Sequence, residues 1–235
     1  MSTYLLVHGA WHSGRAWDRV TPLLAAAGHR VLAPSLTGHG DTAHLLSPEV
    51  GLETYVDDVA GLIVAEDLTD VILVGHSYAG LVISAAANRV PGRIGHLVYL
   101  DAMVPADGET ATDVMPITRV LLDQAAASEA PWRVPPMPEW PAPLGLFGVT
   151  DPDDVAWLRT MLVDEPALAY EQPVRLDDPA VATIPRTHIH CVGHEIEGIT
   201  RRPAPDTDRV WELHSGHDCM ITVPDELAGL LLKIG

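Results

Sequence analysis

Short, continuously apolar runs alternate with amphipathic stretches along the first hundred residues. Tyr4 to Val7, Val31 to Ala33, Val71 to Val74 and Leu97 to Leu100 have the pattern of strands covered on both faces of a parallel sheet. Between them, Trp17, Val20, Leu23 and Leu24 fall on one helical stripe that closes at Gly28. Tyr55, Val59, Leu62 and Ile63 mark a second helix over Glu53 to Leu68, and a third follows the Val71 run. Strands separated by helices of this length imply right-handed parallel crossovers, hence an α/β sheet with helices on both faces. The rhythm stops after Asp101. Helical stretches over 109–130 and 151–163 flank Pro131 to Pro141, a segment rich in tryptophan and proline that cannot be helical. Alternation resumes with strands at Thr187 to Gly193 and Asp208 to Leu213, then a last helix from Pro224 to Lys233. The pattern therefore predicts one domain: a core from 1–103 and 185–235, with an inserted helical lid over 104–184.

The 235 residues suit a single domain, and 47% apolar content supplies its core. A formal net charge of −18 argues against nucleic acid and anionic membranes as partners. Cys191 and Cys219 make no disulfide framework, so a reducing compartment is expected. With neither a basic leader nor a long apolar span, the chain reads as complete and cytoplasmic. Association as a homodimer is left open.

One stretch carries chemistry. The Val71 run enters Gly75-His76-Ser77-Tyr78-Ala79-Gly80, which fits G-x-S-x-G, and a helix follows. Strand, sharp glycine-flanked turn and helix are the context of a nucleophile elbow, which holds a serine hydroxyl at a strand tip. Such a serine needs a base, a group that orients the base, and oxyanion donors. His217, beside Gly216 in the turn after the last strand, is the base candidate, because that strand ends at the same sheet edge as the elbow. The backbone amides of Tyr78 and of Ala10, in the loop after the first strand, are the oxyanion candidates. His188, His190, Cys191 and His194 suggest a metal, but no matching ligand pair is evident elsewhere, so neither a metal nor a cofactor is expected.

Taken together, His8-Gly9-Ala10-Trp11-His12, the elbow, Tyr99-Leu100-Asp101 and Ser215-Gly216-His217 resemble the α/β-hydrolase fold. More narrowly, they resemble the bacterial esterase branch near plant methyl esterases and hydroxynitrile lyases. The resemblance spans the chain outside the lid and implies about six mostly parallel strands. It implies a serine hydrolase that cleaves a small carboxylic ester through an acyl-enzyme. The lyases carry threonine where this chain has Gly9, and lysine where it has Asp218, which favours hydrolysis over cyanide release. The family's acid normally follows the penultimate strand. That loop here holds Glu195 as first choice and Glu197 as second; Asp101 is the third. His12, Trp132, Trp140, Met115 and Met137 are candidate pocket walls, which would suit a small ester with an apolar or aromatic part. The same triad acting on a carbamate, amide or lactone, or in a ring-forming step, is an alternative. A ligand-binding protein on a hydrolase scaffold is another.

Overall fold

Six parallel strands lie in the order β2-β1-β3-β4-β7-β8 in a computed structural model that describes residues 1–193 and 202–235. They are β1 (Thr3–Val7), β2 (Arg30–Leu32), β3 (Val71–His76), β4 (Ile94–Leu100), β7 (Arg186–Val192) and β8 (Arg209–His214), with β5 (Arg133–Val134) and β6 (Glu165–Pro166) in the inserted segment. The order reverses direction after β1, so β3 and β4 sit centrally with their carboxyl ends level: His76 pairs with Leu100, and Leu100 with Ile189. Residues 77 and 101 thus emerge side by side. The Ser77 N–H donates to Leu100 O at 3.1 Å, and the Asp101 N–H to Ile189 O at 2.7 Å.

Side chains alternate between two layers, as strand geometry requires. Leu5, Val7, Val71, Leu73, Leu97 and Tyr99 face one core with α2 (Leu52–Ala65) and α3 (Ala79–Arg89). Tyr4, Leu6, Ile72, Val74, Val98 and Leu100 face the other, with Trp17 and Leu24 from the region of α1 (Thr21–Ala26) and with α8 (Cys219–Thr222) and α9 (Pro224–Leu231). This is the expected architecture, with strand positions close to those the apolar runs predict.

The inserted segment differs from expectation. The helix expected over 109–130 is two pieces, α4 (Ala111–Val114) and α5 (Thr118–Ala126). Pro116 lies between them; it lacks an N–H and would collide with the preceding turn of a continuous helix. Helix α6 (Pro152–Arg159) begins where expected, with Asp151 accepting from the Asp153 and Asp154 N–H groups. The proline-rich coil hides a two-stranded antiparallel ribbon, in which Val134 pairs with Glu165 just before α7 (Ala167–Glu171). The insert is packed into the molecule: Ala111, Leu122, Val134, Ala169 and Tyr170 join the α2–α3 core.

Helix α3 starts under very close packing. A Cβ on Gly80 would lie 1.9 Å from the Met103 carbonyl oxygen, on the chain leaving β4. Met103 N–H also donates to Ser77 O at 2.9 Å, so this approach helps fix the turn. Gly80→Ala is expected to destabilise the fold by about 1–3 kcal/mol through overpacking. A thermal melt checks this; an unchanged midpoint would contradict it.

Candidate active site

Ser77 occupies the left-handed region at φ 56°, held there by hydrogen bonds on both backbone groups. Its carbonyl accepts from Gly80 N–H at 3.2 Å, and its N–H is tied to β4. The turn therefore lifts the side chain clear of strand and helix, as a nucleophile elbow requires.

His217 reaches Ser77 from the loop between β8 and α8. Its Nε2 lies 2.9 Å from Ser77 Oγ, and its Nδ1 lies 2.6 Å from Asp101 Oδ2. With the proton on Nδ1 donated to the carboxylate, Nε2 is left to accept the serine proton. The other oxygen, Asp101 Oδ1, accepts from Cys191 N–H at 3.2 Å. The loop carrying His217 is braced from below, because its carbonyl lies 3.0 Å from His76 Nε2.

Burial works to lower the His217 pKa, but the hydrogen bond and charge of Asp101, with the charge of Asp218, outweigh it and leave it raised above the usual 6.5. A base must be unprotonated to act. The acid limb of kcat/KM should therefore rise with pH through an inflection above 6.5. A pH–rate profile on a non-titrating ester checks this; an inflection below 6.5 would contradict it.

The carboxylate beside His217 Nδ1 is that of Asp101, the third choice from sequence. Glu195 and Glu197, the first two, lie outside the described residues. Asp101 follows β4 directly, at φ 43°, and adjacency of β3 to β4 sets it beside Ser77.

The loop after β1 lies against Ser77. A Cβ on Gly9 would come 2.9 Å from Ser77 Cβ, so a β-branched residue could not sit there without displacing the serine. Ala10 comes next. Tyr78 sits at the start of α3, where backbone N–H groups have no intrahelical partner. Its hydroxyl donates to Ala169 O at 2.5 Å, tying the elbow to the insert. The two amides proposed as oxyanion donors thus belong to segments that flank Ser77.

The burial and pairing of two acidic groups escape sequence reasoning. Asp218 is fully buried and lies 2.9 Å from His12 Nε2. Burial opposes its charge, but His12 outweighs this and lowers the Asp218 pKa; the same pairing raises that of His12 despite burial. His76, buried beside His217, is pushed down to about 3 and stays neutral. The second group is Glu165, 1% exposed in the insert. It takes Trp11 N–H at 2.7 Å and Tyr55 O–H at 2.5 Å, and lies 3.0 Å from His39 Nε2.

The pocket candidates fare unevenly. His12 is turned inward to Asp218 and to Ala10 O, 2.7 Å away, so it serves the loop rather than an open wall. Trp140 is 49% exposed on a proline-bound stretch of the insert. Met115 and Met137 pack on the α2–α3 core, and Trp132 is half-buried with the Arg133 guanidinium over its ring. Trp11, on the loop after β1, has the Phe147 and Tyr170 ring centroids 5.7 and 6.4 Å from its own. His188 stacks on Tyr99 and pairs with Asp208 at 3.0 Å. Among the described residues, His76, His217 and Asp218 bring ligand atoms within 4.8 Å of one another. A cation there would compete with Ser77 and Asp101 for His217, whose two nitrogens are already engaged.

This constellation on this sheet is that of an α/β-hydrolase, and the comparisons agree. The alpha/beta hydrolase family model matches residues 4–230, and the chain belongs to that family. It is 36% identical to a carbendazim hydrolyzing esterase of Nocardioides sp. over the full length of both chains. It is 26% identical to salicylic acid-binding protein 2 of Nicotiana tabacum, covering 98% of this chain and 96% of that one. An extracellular alpha/beta-hydrolase from a Paenibacillus species superposes with a TM-score of 0.82 at 26% identity, over 100% of this chain and 99% of the other. The chain is thus an enzyme of the carboxylesterase type within this family. No described helix is long and apolar enough to cross a membrane.

Proposed function

We propose that the protein hydrolyses a small carboxylic ester by a serine acyl-enzyme route. The observation that carries the reading is the continuous hydrogen-bonded series Ser77 Oγ, His217 and Asp101, at 2.9 and 2.6 Å. In the first half-reaction Ser77 Oγ attacks the carbonyl carbon as its proton passes to His217 Nε2. The carbonyl oxygen gains charge and is held by the Ala10 and Tyr78 amides. Collapse breaks the ester C–O bond, and His217 returns the proton to the leaving alcohol. Water then repeats the sequence on the acyl-serine, releasing the acid and restoring Ser77. Asp101 stays ionised throughout and holds the imidazolium that forms in each half. No cofactor takes part in this route.

The insert forms the roof of this site. It reaches the loop after β1 through Glu165, the elbow through Tyr78, and the His217 loop through Phe147, whose carbonyl accepts from Asp218 N–H at 2.9 Å. Phe147, half-buried with its ring centroid 5.0 Å from that of His12, supplies apolar surface beside the loop after β1, which favours an ester with an apolar or aromatic part. A panel of p-nitrophenyl esters, aromatic methyl esters and carbendazim, the compound named for the full-length relative, tests the reading. Turnover of at least one ester is expected. Turnover of carbendazim, a carbamate, with none of the carboxylic esters would replace the ester assignment.

A further inference from the structure

His217 sits on a loop, between β8 and α8, yet its imidazole must keep its reach to both Ser77 and Asp101. Each peptide is a plane, so the two that flank a Cα fix the direction of its side-chain bond. For His217 both are held, and by groups outside the loop.

The peptide after it joins His217 to Asp218. Its carbonyl oxygen lies 3.0 Å from His76 Nε2, and its N–H donates to Phe147 O at 2.9 Å. A carbonyl only accepts, so His76 carries its proton on Nε2 and donates it. The peptide before it joins Gly216 to His217. A Cβ on Gly148 would lie 2.5 Å from Gly216 Cα and 2.6 Å from His217 N, so the two backbones touch with no side chain between them. The imidazole itself packs on that of His76, with ring centroids 4.5 Å apart.

Both supports are rigid. His76 ends β3 and is 1% exposed. Phe147 and Gly148 belong to a tight turn of the insert, in which Gly148 N–H donates to Leu144 O at 2.8 Å and Leu146 and Val149 exchange hydrogen bonds at 2.9 Å. Leu146 and Val149 are buried in the core that also takes in α8. Phe147 has φ 53°, a left-handed conformation that bulky residues rarely adopt. Such a residue persists only where its surroundings hold it, and its carbonyl is the one that meets the Asp218 N–H.

We propose that His76 and the insert turn at 144–149 are positioning elements that clamp the His217 backbone from two sides, and so set the reach of its imidazole to Ser77 and Asp101. On the serine-hydrolase reading above, this gives the insert a part in proton transfer although it never touches the reacting atoms. A displacement near 1 Å at a catalytic group is enough to cost about a hundredfold in rate.

Gly148→Ala drives a Cβ into the Gly216–His217 backbone. Wild type and variants are first titrated to end point with a serine-directed phosphonate, and rates are expressed per labelled site. Gly148→Ala is expected to lose about a hundredfold in kcat with KM nearly unchanged. The pH–rate profile should change with it. Burial works to lower the His217 pKa, and the hydrogen bond and charge of Asp101 do most to raise it. The other titratable groups around His217 are His12, His76, Asp218, Cys191 and Cys219, and Gly148→Ala alters none of them. As the imidazole parts from Asp101, the inflection of the acid limb should therefore move to lower pH. A loss of stability alone would lower the labelled fraction and leave kcat per site and the inflection in place. His76→Leu removes the donor to the His217 carbonyl and should show the same two changes. His76→Gln restores an N–H at similar reach and should recover kcat to within about tenfold of wild type. The His76 pair decides the matter if Gly148→Ala does not fold. Normal kcat per site with an unmoved inflection in Gly148→Ala and His76→Leu would overturn the proposal. So would a glutamine variant as slow as the leucine one. Failure of the wild type to take the phosphonate would instead overturn the serine reading beneath it.

Discussion

Asp101→Asn is expected to lower kcat about ten-thousandfold, the size of loss seen when a triad carboxylate becomes an amide. The geometry dictates how. Asp101 Oδ1 accepts from the Cys191 N–H, a backbone donor that cannot turn away. The asparagine oxygen must stay with it, which leaves the NH2 facing His217 Nδ1. The imidazole then presents a lone pair there and carries its proton on Nε2, where it cannot accept from Ser77. Loss of the carboxylate also removes the main influences that raise the His217 pKa, so the remaining acid limb should move to lower pH. The same substitution at Glu195 should leave kcat within a fewfold of wild type, because Asp101 already fills the orienting position. Steady-state kinetics on both variants decide between the two acids. A near-normal Asp101→Asn beside a crippled Glu195→Gln would contradict the assignment.

Ser77→Ala is expected to remove about a millionfold of kcat, as losing the nucleophile does in related chemistry. The hydroxyl's hydrogen bond is to His217, so the change removes little packing. Backbone bonds hold residue 77 at positive φ whatever its side chain. The thermal midpoint should shift by no more than about 2 °C, consistent with a change well under 1 kcal/mol. An inactive variant that also melts early would mean that the serine is structural.

Much of this site was legible in the amino-acid order. Apolar runs located β1 to β4, and the resumed strand–helix alternation located β7 and β8. Glycines bracketing Ser77 marked a turn that only small residues fit, and His217 followed from the rule that strand ends share one edge. The acid was harder. Its neighbour in space is set by β4 lying between β3 and β7, and strand order is not written in the local pattern. Family habit pointed to residue 195, whereas the sheet brings residue 101 to the imidazole. Glu165 had no signal. It follows Asp164 and precedes Pro166, which reads as an acidic turn facing solvent, and the groups around it come from residues 11, 39 and 55. Trp140 misled for the opposite reason: a large ring in a proline-rich insert looks like a pocket wall, but extended proline-bound chain left it on the outside.

Intact-protein mass spectrometry after exposure to a fluorophosphonate, followed by peptide mapping, asks whether Ser77 is the nucleophile. One adduct per chain is expected on the peptide carrying Ser77, its rate rising with pH as His217 loses its proton, with no adduct on Ser77→Ala. An unlabelled wild type, or a label that persists in Ser77→Ala, would contradict it.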